Sequence, residues 1–266
     1  MLKYFICPDG TRIEIAECLE HCPRAEGRCM SLPTLKVVGS QRPWTGTAST
    51  TQLLKGTREA YLEITEEFAI DPDEHAFMVL GTRHHQLLDK VAKKLKMISE
   101  EKLKGEVSGI LDLLEPDDGG NSYTLWDYKT TASYKIANVL GLTDKPPDLR
   151  DWTLQLNNYR LMLEGLGFNI SQMLIQCTAR DGKTWLATKR GITRNVNKVS
   201  VPRLDDDEVA GYFTAKNHAL QEAMNTNTLP PMCDYEERWS GRKCKGFCAV
   251  MEFCPEGRAI NKMGKE

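Results

Sequence analysis

The stretch Gly105-Glu-Val-Ser-Gly-Ile-Leu-Asp-Leu-Leu-Glu115, followed by Leu125-Trp-Asp-Tyr-Lys-Thr-Thr131, sets the architecture. Two apolar, β-prone runs flank the turn-forming segment Pro116-Asp-Asp-Gly-Gly-Asn121. That composition reads as a β-hairpin. Folding it about the Gly119–Gly120 junction puts Asp112 opposite Asp127. Cross-strand partners of this kind hold their Cβ atoms about 5 Å apart. Side chains alternate along a strand, so Lys129 shares the Asp127 face and Tyr128 points away. One face then carries two carboxylates and an ammonium.

Two buried carboxylates at that spacing repel each other when both are ionised. A divalent cation resolves the conflict, and oxygen ligands with open water positions suit magnesium or manganese. Such an ion activates water and stabilises charge developing on a phosphoryl group. A lysine beside it holds the attacking water or the developing oxyanion.

The rest of the chain sets limits on the class. Its 266 residues suffice for one sizeable core with small appendages. A hydrophobic content of 41% and a charged content of 27% are those of a soluble globular protein. No apolar run reaches about 18 residues, so no membrane partner is expected. The apolar part of Met1-Leu-Lys-Tyr-Phe-Ile-Cys7 is short for a signal peptide, which gives a cytoplasmic location as the expectation. A net charge of −2 speaks against indiscriminate nucleic-acid binding and leaves room for a local basic groove.

Eight of the nine cysteines sit near the two ends. Cys7, Cys18, Cys22 and Cys29 are separated by ten, three and six residues; Cys233, Cys244, Cys248 and Cys254 by ten, three and five. In a reducing compartment, clustered cysteines bind metal more often than they form disulfides. Four thiolates satisfy a tetrahedral zinc ion or an iron–sulfur cluster. The expectation is zinc in the first quartet and zinc or an iron–sulfur cluster in the second, each stapling an end too poor in apolar residues to fold alone. The expected division is a cysteine module at 1–31, a core at 32–230 and a second cysteine module at 231–266. Cys177, in the strand-like Met173-Leu-Ile-Gln-Cys-Thr178, reads as a small core residue.

Between the ends, residues 31–50 read as irregular, Ser49–Leu62 as a capped helix interrupted at Gly56, and Asp71-Pro-Asp73 as a turn. Leu80–Leu95 reads as a helix with Leu88, Val91, Ala92 and Leu95 on its apolar stripe and His84 and His85 before it. Trp152–Leu163 is an amphipathic helix on which Gln155 and Tyr159, one turn apart, share a face. A second hairpin is expected, Ile170–Arg180 returning through Lys183–Lys189. The segment from Gly182 to Arg203 holds no acidic residue. Lys183, Arg190, Arg194 and Lys198 make it the candidate path for a phosphate backbone, with Trp185 inside it. A helix is expected at 205–225, with Asp205-Asp-Asp-Glu208 at its positive end.

The order of these features resembles the PD-(D/E)XK nuclease superfamily, and within it the RecB-type exonuclease branch. Gly81-Thr-Arg-His-His85 is similar to the Gly-x-x-x-His of the first motif, and Gly109-Ile-Leu-Asp112 to the metal-binding aspartate motif. Asp127-Tyr-Lys129 resembles the acid-x-Lys that names the superfamily, and Gln155-Leu-Asn-Asn-Tyr159 the Gln-x-x-x-Tyr helix. Cys244, Cys248 and Cys254, followed by Pro255, resemble the late cysteines of the iron–sulfur branch, which includes the AddB nuclease domain and the CRISPR-adaptation exonucleases.

The resemblance implies an α/β fold, a PD-(D/E)XK core with a mixed central sheet flanked by helices. It implies a magnesium or manganese ion held by His85, Asp112, Asp127 and the Tyr128 carbonyl. Lys129 would position water, and Gln155 and Tyr159 would orient the site. The implied reaction is metal-dependent hydrolysis of DNA, as an exonuclease of phage or mobile-element recombination, with a recombination or helicase protein as a further partner. A sequence-specific endonuclease and a nonhydrolytic DNA-binding scaffold are the alternatives.

Overall fold

A computed structural model describes residues 1–263 of the chain. Leu2–Ile6 (β1) and Arg12–Glu14 (β2) pair antiparallel around a turn in which Gly10 takes φ +83°. Ile15–Glu20 (α1) and Leu32–Val38 (α2) follow. The second falls where the sequence reads as irregular. Pro33 lies in the first turn of α2, where its missing N–H breaks no helical bond. Thr50–Leu53 (α3) starts at a capping box of Ser49 and Gln52, and Gly56 separates it from Thr57–Thr65 (α4), at the expected break. After Phe68–Ile70 (β3), the expected turn at Asp71 continues as the short helix Pro72–His75 (α5), capped by the Asp71 carboxylate.

Met78–Lys94 (α6) leads into three strands, Ile98–Leu103 (β4), Gly109–Pro116 (β5) and Tyr123–Thr131 (β6). Ser133–Val139 (α7) and Arg150–Gly165 (α8) then carry the chain to Ile170–Ala179 (β7). The expected return strand at 183–189 is wrong. Trp185–Lys189 is a helix (α9) capped by the Thr184 side chain, and the strand that pairs with β7 is Val196–Ser200 (β8). The Thr184 hydroxyl accepts from the Ala187 amide and starts a helical turn, which sequence alternation alone does not register. Asp206–Thr226 (α10) has three acids in its first turn, and Pro255–Met263 (α11) ends the described chain.

The chain divides into two compact units, one of residues 1–48, 55–79 and 215–266, the other of residues 49–54 and 80–214. The first contains the sheet β2-β1-β3, with β1 and β3 parallel. Phe5, Ile13, Leu35, Val38, Phe68 and Ile70 are buried in it. A Cβ on Gly39 would stand 2.8 Å from the Phe5 ring, so the end of α2 needs glycine to pack there.

The second unit contains the five-stranded sheet β4-β5-β6-β7-β8. It is mixed: β6 and β7 run parallel, joined through α7 and α8, and the other neighbours are antiparallel. Leu111, Leu114, Leu125 and Ile175 of the sheet are fully buried with Ile136 of α7 and Leu156 and Leu163 of α8. Burial of each such side chain stabilises by about 1.5–3 kcal/mol. Cys177 is fully buried in the same cluster, as its sequence context suggests. α8 also buries Arg160, whose guanidinium meets Glu164 and Asp206 at 2.8 Å each. Of the apolar stripe expected on α6, Ala92 is buried and Leu88 half-buried, while Val91 and Leu95 are exposed.

Candidate active site

The β5–β6 hairpin sets the site. Leu113 pairs with Trp126, Leu114 with Leu125, Glu115 with Thr124 and Pro116 with Tyr123. The paired register ends at Leu113 and Trp126, and Asp112 and Asp127 are the next residues along the two strands. The turn is closed by the Asp117 amide donating to the Ser122 carbonyl at 2.9 Å, and Gly119 and Gly120 both take positive φ. The Asp117 carboxylate further accepts from Ser122 and Thr124.

On β6, Lys129 Nζ lies 3.0 Å from Asp127 Oδ1 and 2.7 Å from Oδ2. Gln155 of α8 joins the pair: its Nε2 donates to Asp127 Oδ1 at 3.0 Å, and its Oε1 accepts from Lys129 at 3.3 Å. The Tyr159 hydroxyl is 3.5 Å from Gln155 Nε2. Tyr159 fits there because position 109 is glycine; a Cβ on Gly109 would come within 2.4 Å of its ring. Asp127 is buried, with 3% of its surface exposed. Burial pushes its carboxyl up and Lys129 pulls it back. Burial alone would lower the Lys129 ammonium, but the Asp127 charge and hydrogen bond win and hold it above its ordinary value.

The neighbouring group belongs to His85. Its Nδ1 stands 3.3 Å from Asp112 Oδ1 and 3.2 Å from Glu100 Oε1. Asp112 Oδ2 accepts from the Tyr128 amide at 2.6 Å, which fixes the carboxylate. Hydrogen bonding to the Asp112 and then the Glu100 carboxylate pushes the His85 imidazole up to about 10. Tyr128 turns its ring edge-on to both His84 and His85, at 5.8 and 5.9 Å. Burial lowers His84 instead, so the two adjacent histidines are driven in opposite directions.

Among the described residues, His85, Glu100 and Asp112 form a group of three metal-ligand atoms within 4.8 Å of one another. One imidazole and two carboxylates make a hard donor set that suits magnesium or manganese. Asp127 Oδ2 is buried and, despite its closeness to Lys129, accepts no hydrogen bond among the described residues. It therefore keeps a lone pair for a cation.

The pattern of residue types does not announce Glu100. The β4 ladder pairs Ser99 with Leu113 and Glu101 with Leu111, so Glu100 falls opposite Asp112. Its φ of +50° accompanies a break in the β4–β5 pairing at that point and brings the carboxylate to His85.

The candidate DNA-binding residues separate. Lys183, Arg194 and Lys198 are exposed. Arg190 is half-buried and engaged, donating to Ser133 Oγ at 3.0 Å and lying 3.7 Å from Asp181. Lys189 sits over the exposed Trp185 ring at 5.0 Å.

Within the other unit, Cys233, Cys244, Cys248 and Cys254 line one pocket with Arg58, Glu59 and Leu62 of α4. Arg58 Nη1 is 3.5 Å from Cys254 Sγ, and Lys243 bonds Glu59 at 2.5 Å. Gly56 is required by the same wall, since a Cβ there would stand 2.3 Å from Cys233 Sγ. Burial pushes the Cys248 thiol up to about 12. Cys7, Cys18, Cys22 and Cys29 lie in this unit as well. No helix of the described residues is long and apolar enough to cross a membrane.

No curated protein matches the chain. The crystal structure of SSO0001 is similar over 85% of this chain and 93% of its own, with 16% identity and a TM-score of 0.47. The family comparison is decisive: residues 73–255, which hold every residue of the carboxylate–lysine site, match the PD-(D/E)XK nuclease superfamily, and the chain belongs to that superfamily.

Proposed function

We propose that the protein is a magnesium- or manganese-dependent deoxyribonuclease of exonuclease type. The observation that carries the reading is the juxtaposition of two groups centred on the neighbouring strands β5 and β6. His85, Glu100 and Asp112 form one, and Asp127, Lys129 and Gln155 the other. His85, Glu100, Asp112 and Asp127 would hold the cation, with Glu100 taking the place given to the Tyr128 carbonyl by the resemblance alone. When bound, the cation supplies Lewis-acid stabilisation of charge on the phosphoryl oxygens. Lys129, raised in pKa and fixed by Asp127 and Gln155, stays charged and directs its protons at the attacking water or the developing oxyanion. Gln155 holds both partners in register, and Tyr159 supports Gln155 from the same face of α8. Lys183, Arg194 and Lys198 supply exposed positive charge for a phosphate backbone.

The C-terminal quartet supports a place in the iron–sulfur-bearing, RecB-type branch. Four thiols facing one pocket, beside a buried arginine that reaches Cys254, suit a polynuclear cluster. Recombination in phage or mobile elements, beside a helicase or recombination protein, is the setting this reading implies.

The test compares end-labelled linear DNA with closed circular DNA, each with magnesium and then manganese. Loss of label from linear ends with circles intact is the expected result. Cleavage of circles would mean an endonuclease, and binding without cleavage under either metal would mean a nonhydrolytic subunit.

A further inference from the structure

The four N-terminal cysteines take no part in the nuclease site. The fold brings them into one neighbourhood without closing them on one another. Cys7 closes the β1–β2 hairpin: its amide donates to the Thr11 carbonyl at 2.8 Å, and the Gly10 amide donates back to the Cys7 carbonyl at 2.8 Å. The turn Cys7-Pro-Asp-Gly10 thus presents the Cys7 thiol from a fixed knuckle. Cys18 is buried on α1, and Cys22 follows its end, after the extended residue His21. Cys29 follows Gly27, whose amide donates to the Arg24 carbonyl at 3.0 Å.

Two arginines tie this loop to the other ligand-bearing pieces. Arg28 Nη2 donates to the Leu19 and Glu20 carbonyls at 3.1 and 3.2 Å, fastening the loop to the end of α1. Arg24, Cys22 and Cys29 lie close enough to Cys7 to act on it electrostatically, and Cys18 is within reach of the other three sulfurs.

Arg24 leaves a sharper trace. Its Nη2 meets Glu26 at 3.2 Å, but its Nε is buried and has no hydrogen-bond partner among the described residues. A buried guanidinium proton without an acceptor is costly, because it has given up its water and gained nothing in return. Thiolate sulfur is an acceptor, and the quartet supplies it within the same loop. Charge agrees with this. Four thiolates on a divalent ion leave a net negative charge, and Arg24 and Arg28 offset it.

From this geometry we propose that Cys7, Cys18, Cys22 and Cys29 bind one structural zinc ion, with Arg24 donating to its thiolate shell. No three of these sulfurs come within 4.8 Å of one another, so binding draws them together. Cys29 is exposed and Cys22 partly so. That exposure favours zinc, which has no redox chemistry, over a cluster open to oxygen. Four thiolates leave zinc no open position, so the ion holds the knuckle, α1 and the 23–29 loop together and does not act on substrate.

The test uses the full wild-type chain, purified without chelator, alkylated in its native state and mapped by mass spectrometry, with metal content measured in parallel. Cys22 and Cys29 are accessible enough to report. The expected result is bound zinc, with both residues labelled about ten-fold or more slowly than after chelator removes it. Arg24→Ala should raise their labelling rate without chelator. Labelling of Cys22 and Cys29 at the same rapid rate with and without chelator would overturn the proposal. So would zinc content that stays unchanged in Cys22→Ala and Cys29→Ala chains, or iron released with protection of these four thiols. Because the readout is thiol protection and metal content, failure here is separate from failure of the nuclease reading.

Discussion

Lys129 holds its ammonium 2.7 Å from the Asp127 carboxylate two residues earlier on the same strand, in a site where Asp127 is 3% exposed. An ion pair this buried is sensitive to removal of either member, because the remaining charge loses its partner. Asp127→Asn removes a charge that faces both Lys129 and the cation group. Cleavage should fall by about 100-fold or more while binding of DNA is retained. Retained cleavage in metal-stripped and reloaded buffer would defeat the assignment.

Asp112 and Glu100 hold the His85 imidazole at about 10, so without a bound cation His85 is an imidazolium at neutral pH. A cation and a proton then compete for the same group, and apparent manganese affinity should rise with pH up to that value. The sign for stability is the opposite. A folded pKa raised above the ordinary 6.5 stabilises the cation-free fold below about 6.5, and that contribution is lost as pH rises through about 10. Glu100→Gln should weaken manganese binding and move its pH dependence to lower pH. Calorimetric titrations across the pH range check both; a pH-independent affinity would remove His85 from the ligand set.

Gly109→Ala puts a Cβ 2.4 Å from the Tyr159 ring. The overlap should cost about 1–3 kcal/mol of stability and reduce cleavage through displacement of Tyr159 from Gln155. In the background of Tyr159→Ala the same substitution should cost much less. Additive effects in the double-mutant cycle would show that the two positions do not meet.

Lys183, Arg194 and Lys198 are exposed, whereas Arg190 is occupied by Ser133 and Asp181. Alanine at each of the first three should flatten the salt dependence of binding by about 0.7–0.9 for every phosphate left without its cation. Arg190→Ala should leave the slope near wild type and lower thermal stability. Salt slopes measured for the four variants side by side separate the two roles.

Gly56→Ala aims a methyl group at Cys233 Sγ, 2.3 Å away. If the C-terminal quartet holds the proposed cluster, the substitution should deplete it without changing any cysteine. The anaerobically purified variant should have lower iron content, weaker visible absorbance and a lower melting temperature than wild type. Full metal content in the variant would place Cys233 outside the ligand set.

The hairpin register from Leu113–Trp126 to Pro116–Tyr123 is legible in the sequence because side-chain alternation and a glycine-centred turn favour the symmetric solution. Gln155 and Tyr159 are legible as a helical pair, since their one-turn spacing survives whatever the helix packs on. Glu100 is not, because its approach to His85 follows from a positive φ on an otherwise ordinary strand. The α9 helix reads as a strand because five residues are too few for periodicity to separate the two, and the Thr184 cap decides the matter. Arg190 looks identical to its basic neighbours in sequence, and the positions of Ser133 and Asp181 set it apart.

The parallel pairing of β6 with β7 implies an order of assembly. Asp112 and Asp127 are brought together by a local hairpin, and closing so short a loop costs little chain entropy. Gln155 arrives only when α8 is formed and packed, because its helix lies in the crossover between the parallel strands. Without it Lys129 is held by Asp127 of its own strand alone. The charges of the site are thus set by contacts close in the sequence, while the geometry that lets them act depends on the long crossover between two parallel strands.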